Sequence, residues 1–157
     1  MFRIAVGLVV CGLSAGSALA QQGGAAPAQQ AAAAPAQRVF ASDGGLVLNF
    51  VKPDKTADFE AVIAKLKEAL QKSDKPERKQ QAASWKVFKA AEPGPNMSAI
   101  YVSFMYPAVK GSDYSVGTVL SEGFPQEVQA IFKSYSESFG NPAQNILNLT
   151  LTQDYGK

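Results

Sequence analysis

The sequence predicts an α+β domain in which a four-stranded antiparallel sheet carries helices on one of its faces. Three observations lead to this prediction. Strand-like and helix-like segments alternate in a defined order, a short turn joins the two middle strands, and alternate strand residues fall into two chemically different sets.

Four segments have the composition of strands, because they are rich in β-branched and aromatic residues and are bounded by Gly, Pro or Asn. They are "LVLNFV" (46–51), "SWKVFKAA" (84–91), "SAIYVSFMY" (98–106) and "NILNLTLT" (145–152). The short loop "EPGPN" between the second and third predicts that these two strands form a hairpin.

An amphipathic helix is predicted between the first and second strands, with Asp54 or Thr56 as its N-cap. A broken pair of helices is predicted between the third and fourth strands: the first piece ends near Gly123, and Pro125 begins a second that Gly140 closes. The order β-α-β-β-α-β is the ferredoxin-like arrangement. The apolar stripes of the two main helices are Phe59, Val62, Ile63, Leu66 and Leu70, and Val128, Ile131, Phe132, Tyr135 and Phe139.

The two sets of alternate strand residues predict which face the helices cover. We expect the wholly apolar set under the helices and the mixed set on an open face, where it packs against a second copy in a homodimer. The apolar set is Leu46, Leu48, Phe50, Ile100, Val102, Phe104, Leu147, Leu149 and Leu151. The mixed set is Val47, Asn49, Val51, Tyr101, Ser103, Met105, Ile146, Asn148 and Thr150.

Residues 1–20 have the features of a secretory signal peptide: an early Arg3, a short apolar run and the small-residue end Ala18-Leu19-Ala20. The run is too short to cross a bilayer, so the mature protein is expected to be exported, to the periplasm or the medium, without a membrane span. Residues 21–37 contain only Ala, Gln, Gly and Pro and predict a disordered linker. The folded domain is expected to span residues 38–157.

The composition excludes several classes of function. The chain has no histidine, and its one cysteine, Cys11, lies in the leader. The common zinc, copper and haem sites and His-dependent catalysis are therefore not expected, and no cofactor or metal is predicted. Without Arg3 the 15 basic residues become 14 against 13 acidic, a net charge of +1 that does not suggest nucleic-acid binding. Eight cations between residues 65 and 89 indicate a solvated face, with an anion site as the alternative.

Trp85, the only tryptophan, allows two interpretations. In the first, its ring covers one end of the core or of the dimer interface. In the second, it is a stacking wall for a flat ligand, with Lys86 or Lys89 holding an anionic group. Alternation does not orient it, since neither side of its strand is cleanly apolar.

With these elements the domain resembles the dimeric α/β-barrel superfamily, which includes the antibiotic-biosynthesis monooxygenases. The stretches "VKPDKTADFEAVIAKLKEAL" and "ERKQQAASWKVFKA" also resemble uncharacterised exported bacterial proteins. The resemblance implies a role for an asparagine on the first strand, matched by Asn49, and for a tryptophan and often a histidine. Trp85 lies on the second strand instead of a later helix and histidine is missing, so haem cleavage is not expected.

The leading hypothesis is a non-catalytic dimeric module that binds a small apolar or aromatic ligand, or a protein partner, between sheet and helices. An alternative is a cofactor-independent monooxygenase or isomerase, with Asn49 polarising an aromatic substrate and Trp85 or Tyr101 positioning it. A third is a structural subunit of an envelope assembly. The candidate ligand-binding residues are Asn49, Trp85, Tyr101 and Ser103.

Overall fold

The computed structural model describes residues 37–156, so the predicted signal peptide and all but the last residue of the predicted linker lie outside the described residues. The strands are β1 (Gly44–Val51), β2 (Trp85–Pro93), β3 (Ala99–Met105) and β4 (Phe139–Leu149). The α-helices are α1 (Thr56–Lys72), α2 (Pro76–Ser84), α3 (Val116–Gly123) and α4 (Val128–Glu137). A short 3-10 turn, Pro53–Lys55, precedes α1, and a second, Pro95–Met97, joins β2 to β3.

The four strands form one antiparallel sheet in the order β2-β3-β1-β4, which confirms the predicted α+β class and is consistent with a ferredoxin-like fold. β1 lies in the middle and pairs with β3 through Asn49 opposite Tyr101, and with β4 through Asn49 opposite Gln144. The predicted hairpin is β2–β3. Because β2 and β4 form the sheet edges, both can border openings between sheet and helices.

The helices lie on one face of the sheet and enclose the main core there. α1 is central, since its buried stripe packs against both β1 and the α3–α4 pair. Stacked and edge-on aromatic rings extend from α1 through α4 to the start of β4. The main core consists of Val51, Phe59, Val62, Leu66, Ala69, Leu70, Tyr101, Val116, Val119, Leu120 and Tyr135.

The prediction of which sheet face the helices cover was wrong. The β1 and β3 members of the mixed set face the helices: Asn49 is 2% exposed, and Tyr101 and Ser103 are also buried. Its later members, Ile146, Asn148 and Thr150, are exposed. The reason is that the polar members on β1 and β3 bond to one another and to the main chain, so burial leaves them satisfied. The prediction compared only the hydrophobicity of the two sets of residues. It did not include the hydrogen bonds that form between strands.

The wholly apolar set therefore lies on the sheet face opposite the helices, which we call the open face. Its rows follow from the strand register: Phe88, Val102 and Leu48 lie side by side, and so do Lys86, Phe104, Leu46 and Leu147. Phe88 is 54% exposed and Leu147 is 42% exposed. The rings of Phe104 and Tyr106 stack at one end of this surface.

Several local predictions need correction. The N-cap of α1 is Lys55, without a side-chain cap, instead of Asp54 or Thr56, because a 3-10 turn leads directly into the helix. β4 begins at Phe139, so this residue and Gly140 belong to the strand instead of ending a helix. The basic stretch at residues 65–89 begins in α1 and contains the additional helix α2. Five of its eight cations pair with carboxylates. Arg78 is one of these and is buried, whereas the solvated-face interpretation expects exposed cations.

The segment before β1 is bound to the domain on both sides. The main chain of Arg38 donates to Asp113 Oδ1 and accepts from the Tyr114 amide, at 2.8 and 2.7 Å. Phe40 is buried in a second, smaller core with Met105 and Tyr114. This anchoring fixes the direction in which the Arg38 side chain leaves the backbone. Among residues 37–156, no helix is long and apolar enough to cross a membrane.

Candidate functional site

A buried polar cluster lies between the sheet and the helices, centred on Asn49 of β1. Its Nδ2 donates to the carbonyl oxygens of Tyr101 and Val47, at 3.0 and 3.3 Å, and lies 3.4 Å from Ser103 Oγ. Its Oδ1 accepts from Gln144 Nε2 at 2.6 Å. Asn49 thus connects the three adjacent strands β3, β1 and β4 through its side chain.

These contacts occupy the hydrogen-bonding groups of Asn49, which has two N–H donors and one carbonyl acceptor. To polarise a substrate, its amide would first have to release Tyr101 or Val47. The geometry favours the cross-sheet role for Asn49. Its role as a ligand contact stays a prediction.

Tyr135 of α4 extends the cluster towards the surface. Its hydroxyl accepts from Gln144 Nε2 at 2.9 Å, and Gln144 Oε1 accepts from Arg38 Nη2 at 3.1 Å. Burial raises the pKa of the Tyr135 phenol, an effect that Arg38 and Gln144 only partly oppose. At neutral pH the phenol is therefore protonated and can donate a hydrogen bond.

Trp85 points towards the helices from the start of β2, which settles the side of the sheet on which it lies. Its ring packs against both cores and meets Tyr114 edge-on, with ring centroids 5.5 Å apart. The indole Nε1 is buried and has no hydrogen-bond partner among the described protein groups. An unpaired buried N–H is energetically costly, so a bound acceptor there would be stabilised.

Three of the four predicted site residues, Asn49, Trp85 and Ser103, border one small cavity of about 10 Å³. This inner cavity is also bordered by Arg38 and Tyr135. Its volume is at the lower limit for a single water molecule. The inner cavity lies between two larger openings, because it shares wall residues with each of them.

The larger opening on the β2 side is a groove of about 310 Å³, here called the α1–β2 groove. Its floor is formed by Trp85 and Val87 of β2, and its rim carries two polar side chains of α1, Lys67 and Gln71. Apolar side chains supply the remaining walls: Ile63, Leu66 and Leu70 of α1, and Ala82 of α2. Trp85 and Ile63 separate this groove from the inner cavity.

Tyr101, the fourth predicted site residue, is not at the inner cavity with the other three. Only its carbonyl oxygen reaches Asn49. Its ring packs against Phe59 in the main core, and its side chain also lines a shallow surface pocket further along β2. There its hydroxyl donates to Glu60, which also accepts from Lys89 Nζ at 2.9 Å. The Tyr101 hydrogen bond and then Lys89 lower the pKa of Glu60, so this carboxylate is ionised at neutral pH.

Three further residues of this region were not predicted from the sequence: Arg38, Tyr135 and Gln144. Gln144 immediately precedes the predicted fourth strand, and Tyr135 belongs to a stripe assigned to the core. Arg38 stands at the first position of the predicted domain. Only its place next to a low-complexity linker could have drawn attention to it.

Comparison with protein-family models, with curated proteins and with solved structures gave no significant match. The resemblance to the dimeric α/β-barrel superfamily therefore rests on fold order alone. Within the described part of the chain, no group of three or more His, Cys, Asp or Glu side chains is placed to hold a metal ion.

Proposed function

We propose that this protein is an exported dimeric module that binds a small apolar or aromatic ligand in the α1–β2 groove. The observation that carries the proposal is the groove itself. It has a volume of about 310 Å³, with apolar side chains on its inner walls and polar side chains at its rim. Ligand sites have this character, and their volumes begin at about 300 Å³.

The lining suggests how a ligand would be recognised. A flat ring can lie against the indole of Trp85, while Leu66 and Leu70 contact its other side. A hydroxyl or carbonyl on the ring can accept from the unpartnered indole N–H after a small movement of the Trp85 side chain. Lys67 and Gln71 at the rim suit a polar end that remains in water.

The experiment uses p-cresol, a single ring with one hydroxyl, and follows the one indole N–H resonance in the ¹⁵N NMR spectrum of the mature chain. Binding in the α1–β2 groove should shift this resonance saturably, and Ala82→Leu should abolish the shift by filling the groove. The matched control is Ala83→Leu, since Ala83 is exposed and lies outside the α1–β2 groove. A resonance that does not respond to p-cresol, or equal responses in both variants, would contradict the proposal.

The dimer part of the proposal is supported by the open face. Contiguous apolar patches of this kind on soluble proteins mark interfaces, and an apolar sheet face is complementary to a second copy of itself about a two-fold axis. A standard interface buries about 800 Å² on each partner. Val102 lies at the centre of the open face between Phe88 and Leu48, so it should be buried in the dimer.

Sedimentation of the mature chain tests this part separately. We expect a dimer for the wild type and a monomer for Val102→Lys, with the Trp85 resonance unchanged. Lys110→Ala, which alters an exposed residue beyond β3, is the control and should remain dimeric. A monomeric wild type at micromolar concentration would contradict the dimer without touching the ligand proposal.

A further inference from the structure

A second groove, of about 330 Å³, opens at the β4 edge of the sheet, between α3, α4 and the start of β4. We call it the Arg38 groove, because the side chain of Arg38 forms part of its wall. It shares Arg38, Val116 and Tyr135 with the inner cavity, whereas it has no wall residue in common with the α1–β2 groove. It is therefore a distinct candidate site.

The side chain of Arg38 differs from the other buried or half-buried cations in having no ionic partner among the described residues. Among residues 37–156, Arg38 is the only partly or fully buried Lys or Arg whose side-chain nitrogens have no carboxylate within 4 Å. Its guanidinium donates to the neutral Oε1 of Gln144. The Asp113 carboxylate is occupied elsewhere, since it accepts from the Arg38 main-chain amide and from Ser115.

Three aromatic side chains form part of the wall of the Arg38 groove. Phe132 is 38% exposed and packs 5.9 Å from Tyr135, which in turn meets Phe139 edge-on at 4.7 Å between centroids. These three rings offer an apolar surface next to a partly buried guanidinium. A planar anion attached to a ring matches both features.

We propose that the Arg38 groove binds an aromatic monocarboxylate. The carboxylate lies against the guanidinium of Arg38, which can donate two parallel hydrogen bonds to it, and the ring lies on Phe132 and Phe139. The site is preorganised because hydrogen bonds to Asp113 and Tyr114 hold the Arg38 backbone on both sides. The groove volume accommodates one substituted ring.

Benzoate is the test ligand, and benzyl alcohol is its neutral match. Binding is measured by calorimetry and by the side-chain amide resonances of Gln144, whose Oε1 contacts Arg38 and whose Nε2 contacts Asn49 and Tyr135. The wild-type mature chain should bind benzoate at least tenfold more tightly than benzyl alcohol. Arg38→Gln should lose this preference. Arg38→Lys should keep part of it, because the lysine ammonium keeps the positive charge but lacks the planar guanidinium that donates two parallel hydrogen bonds.

Two further variants separate the site from general charge effects. Lys133→Gln removes an exposed cation of α4 next to Phe132 and should leave benzoate affinity within twofold of the wild type. Phe132→Ala removes one wall at a half-exposed position and should weaken benzoate at least threefold without unfolding the domain. Equal benzoate affinity in wild type and folded Arg38→Gln, or no preference over benzyl alcohol in the wild type, would overturn the proposal. The p-cresol response of Trp85 is read independently and is expected in all these variants.

Discussion

The substitution Asn49→Asp tests the buried polar cluster with a change of one atom. Asp has the shape of Asn, but its ionised form has no donor, and the position now occupied by Nδ2 faces the carbonyl oxygens of Tyr101 and Val47 at 3.0 and 3.3 Å. A carboxylate oxygen there would repel both. A protonated carboxyl could donate to Tyr101 and still accept from Gln144, so the folded state should hold the proton.

This proton makes the stability of the variant depend on pH. The introduced carboxyl has a raised pKa in the folded state and an ordinary pKa near 3.9 when unfolded, so the unfolded state ionises first as pH rises. Each pKa unit between these two values lowers the free energy of unfolding by up to about 1.4 kcal/mol. A folded pKa two or three units above the unfolded one therefore removes about 3 to 4 kcal/mol at pH 7, and little below pH 4.

The assay is urea unfolding of wild type and Asn49→Asp at several pH values from 4 to 7.5, with the free energy of unfolding compared at each pH. Asn148→Asp is the matched control, because Asn148 is exposed and its Oδ1 only accepts, from the Ala41 amide, as a carboxylate also can. It should differ from the wild type by less than about 0.5 kcal/mol throughout. A constant difference between Asn49→Asp and the wild type across this pH range would refute the reasoning.

Two further predictions concern the fold. In Gly45→Ala the new Cβ would lie 2.4 Å from the Phe40 ring, so we expect a loss of about 1 to 3 kcal/mol in urea unfolding; Gly140→Ala, whose Cβ has an ordinary contact, is the control, and equal losses would contradict the packing. In Glu122→Gln the bidentate ion pair with Arg78 is lost. Because Arg78 lowers the pKa of Glu122, this pair stabilises the folded state above pH 4 to 5 and its contribution disappears as pH falls through the lowered pKa. The variant should be less stable by about 1 to 3 kcal/mol at pH 7, and the difference should disappear once the pH is below the lowered pKa of Glu122; a pH-independent difference would contradict this.

The strand and helix order could be predicted from the sequence because local patterns determine it. Alternation located β1 and β3, helical spacing located α1, and "EPGPN" marked the hairpin. The helix α2 escaped notice because its nine residues, Pro76–Ser84, are mostly polar and show no apolar stripe. Arg78 and Gln81 supply its buried contacts, bonding to each other and to the Asp113 carbonyl oxygen.

The orientation of the sheet could not be predicted by the same means. Both sets of strand residues contain enough apolar area to form a core, and the deciding interactions join positions far apart in sequence. The bond between Asn49 and Gln144 spans 95 residues. Such pairings become visible only when the strand register is known.

The candidate site depends on the same long-range pairings. Trp85, Asn49 and Ser103 could be suggested singly, since each carries a recognisable chemical property. Their meeting at one inner cavity follows from the antiparallel pairing of β2 with β3 and of β3 with β1. Arg38 reaches the same cavity from outside the sheet, and no periodic pattern could have placed it there.

The inverted sheet separates the two proposed activities in space. Both grooves open from the space between sheet and helices, whereas the open face lies on the other side of the sheet. Had the mixed set faced a second copy, Asn49 and Ser103 would have been shared between subunits, and ligand binding would have required the dimer. With these residues enclosed by the helices of their own chain, each protomer holds a complete set of walls. Ligand affinity should therefore be the same in dimer and monomer. Dimerisation through the open face should alter the stability and solubility of the protein and leave ligand binding unchanged.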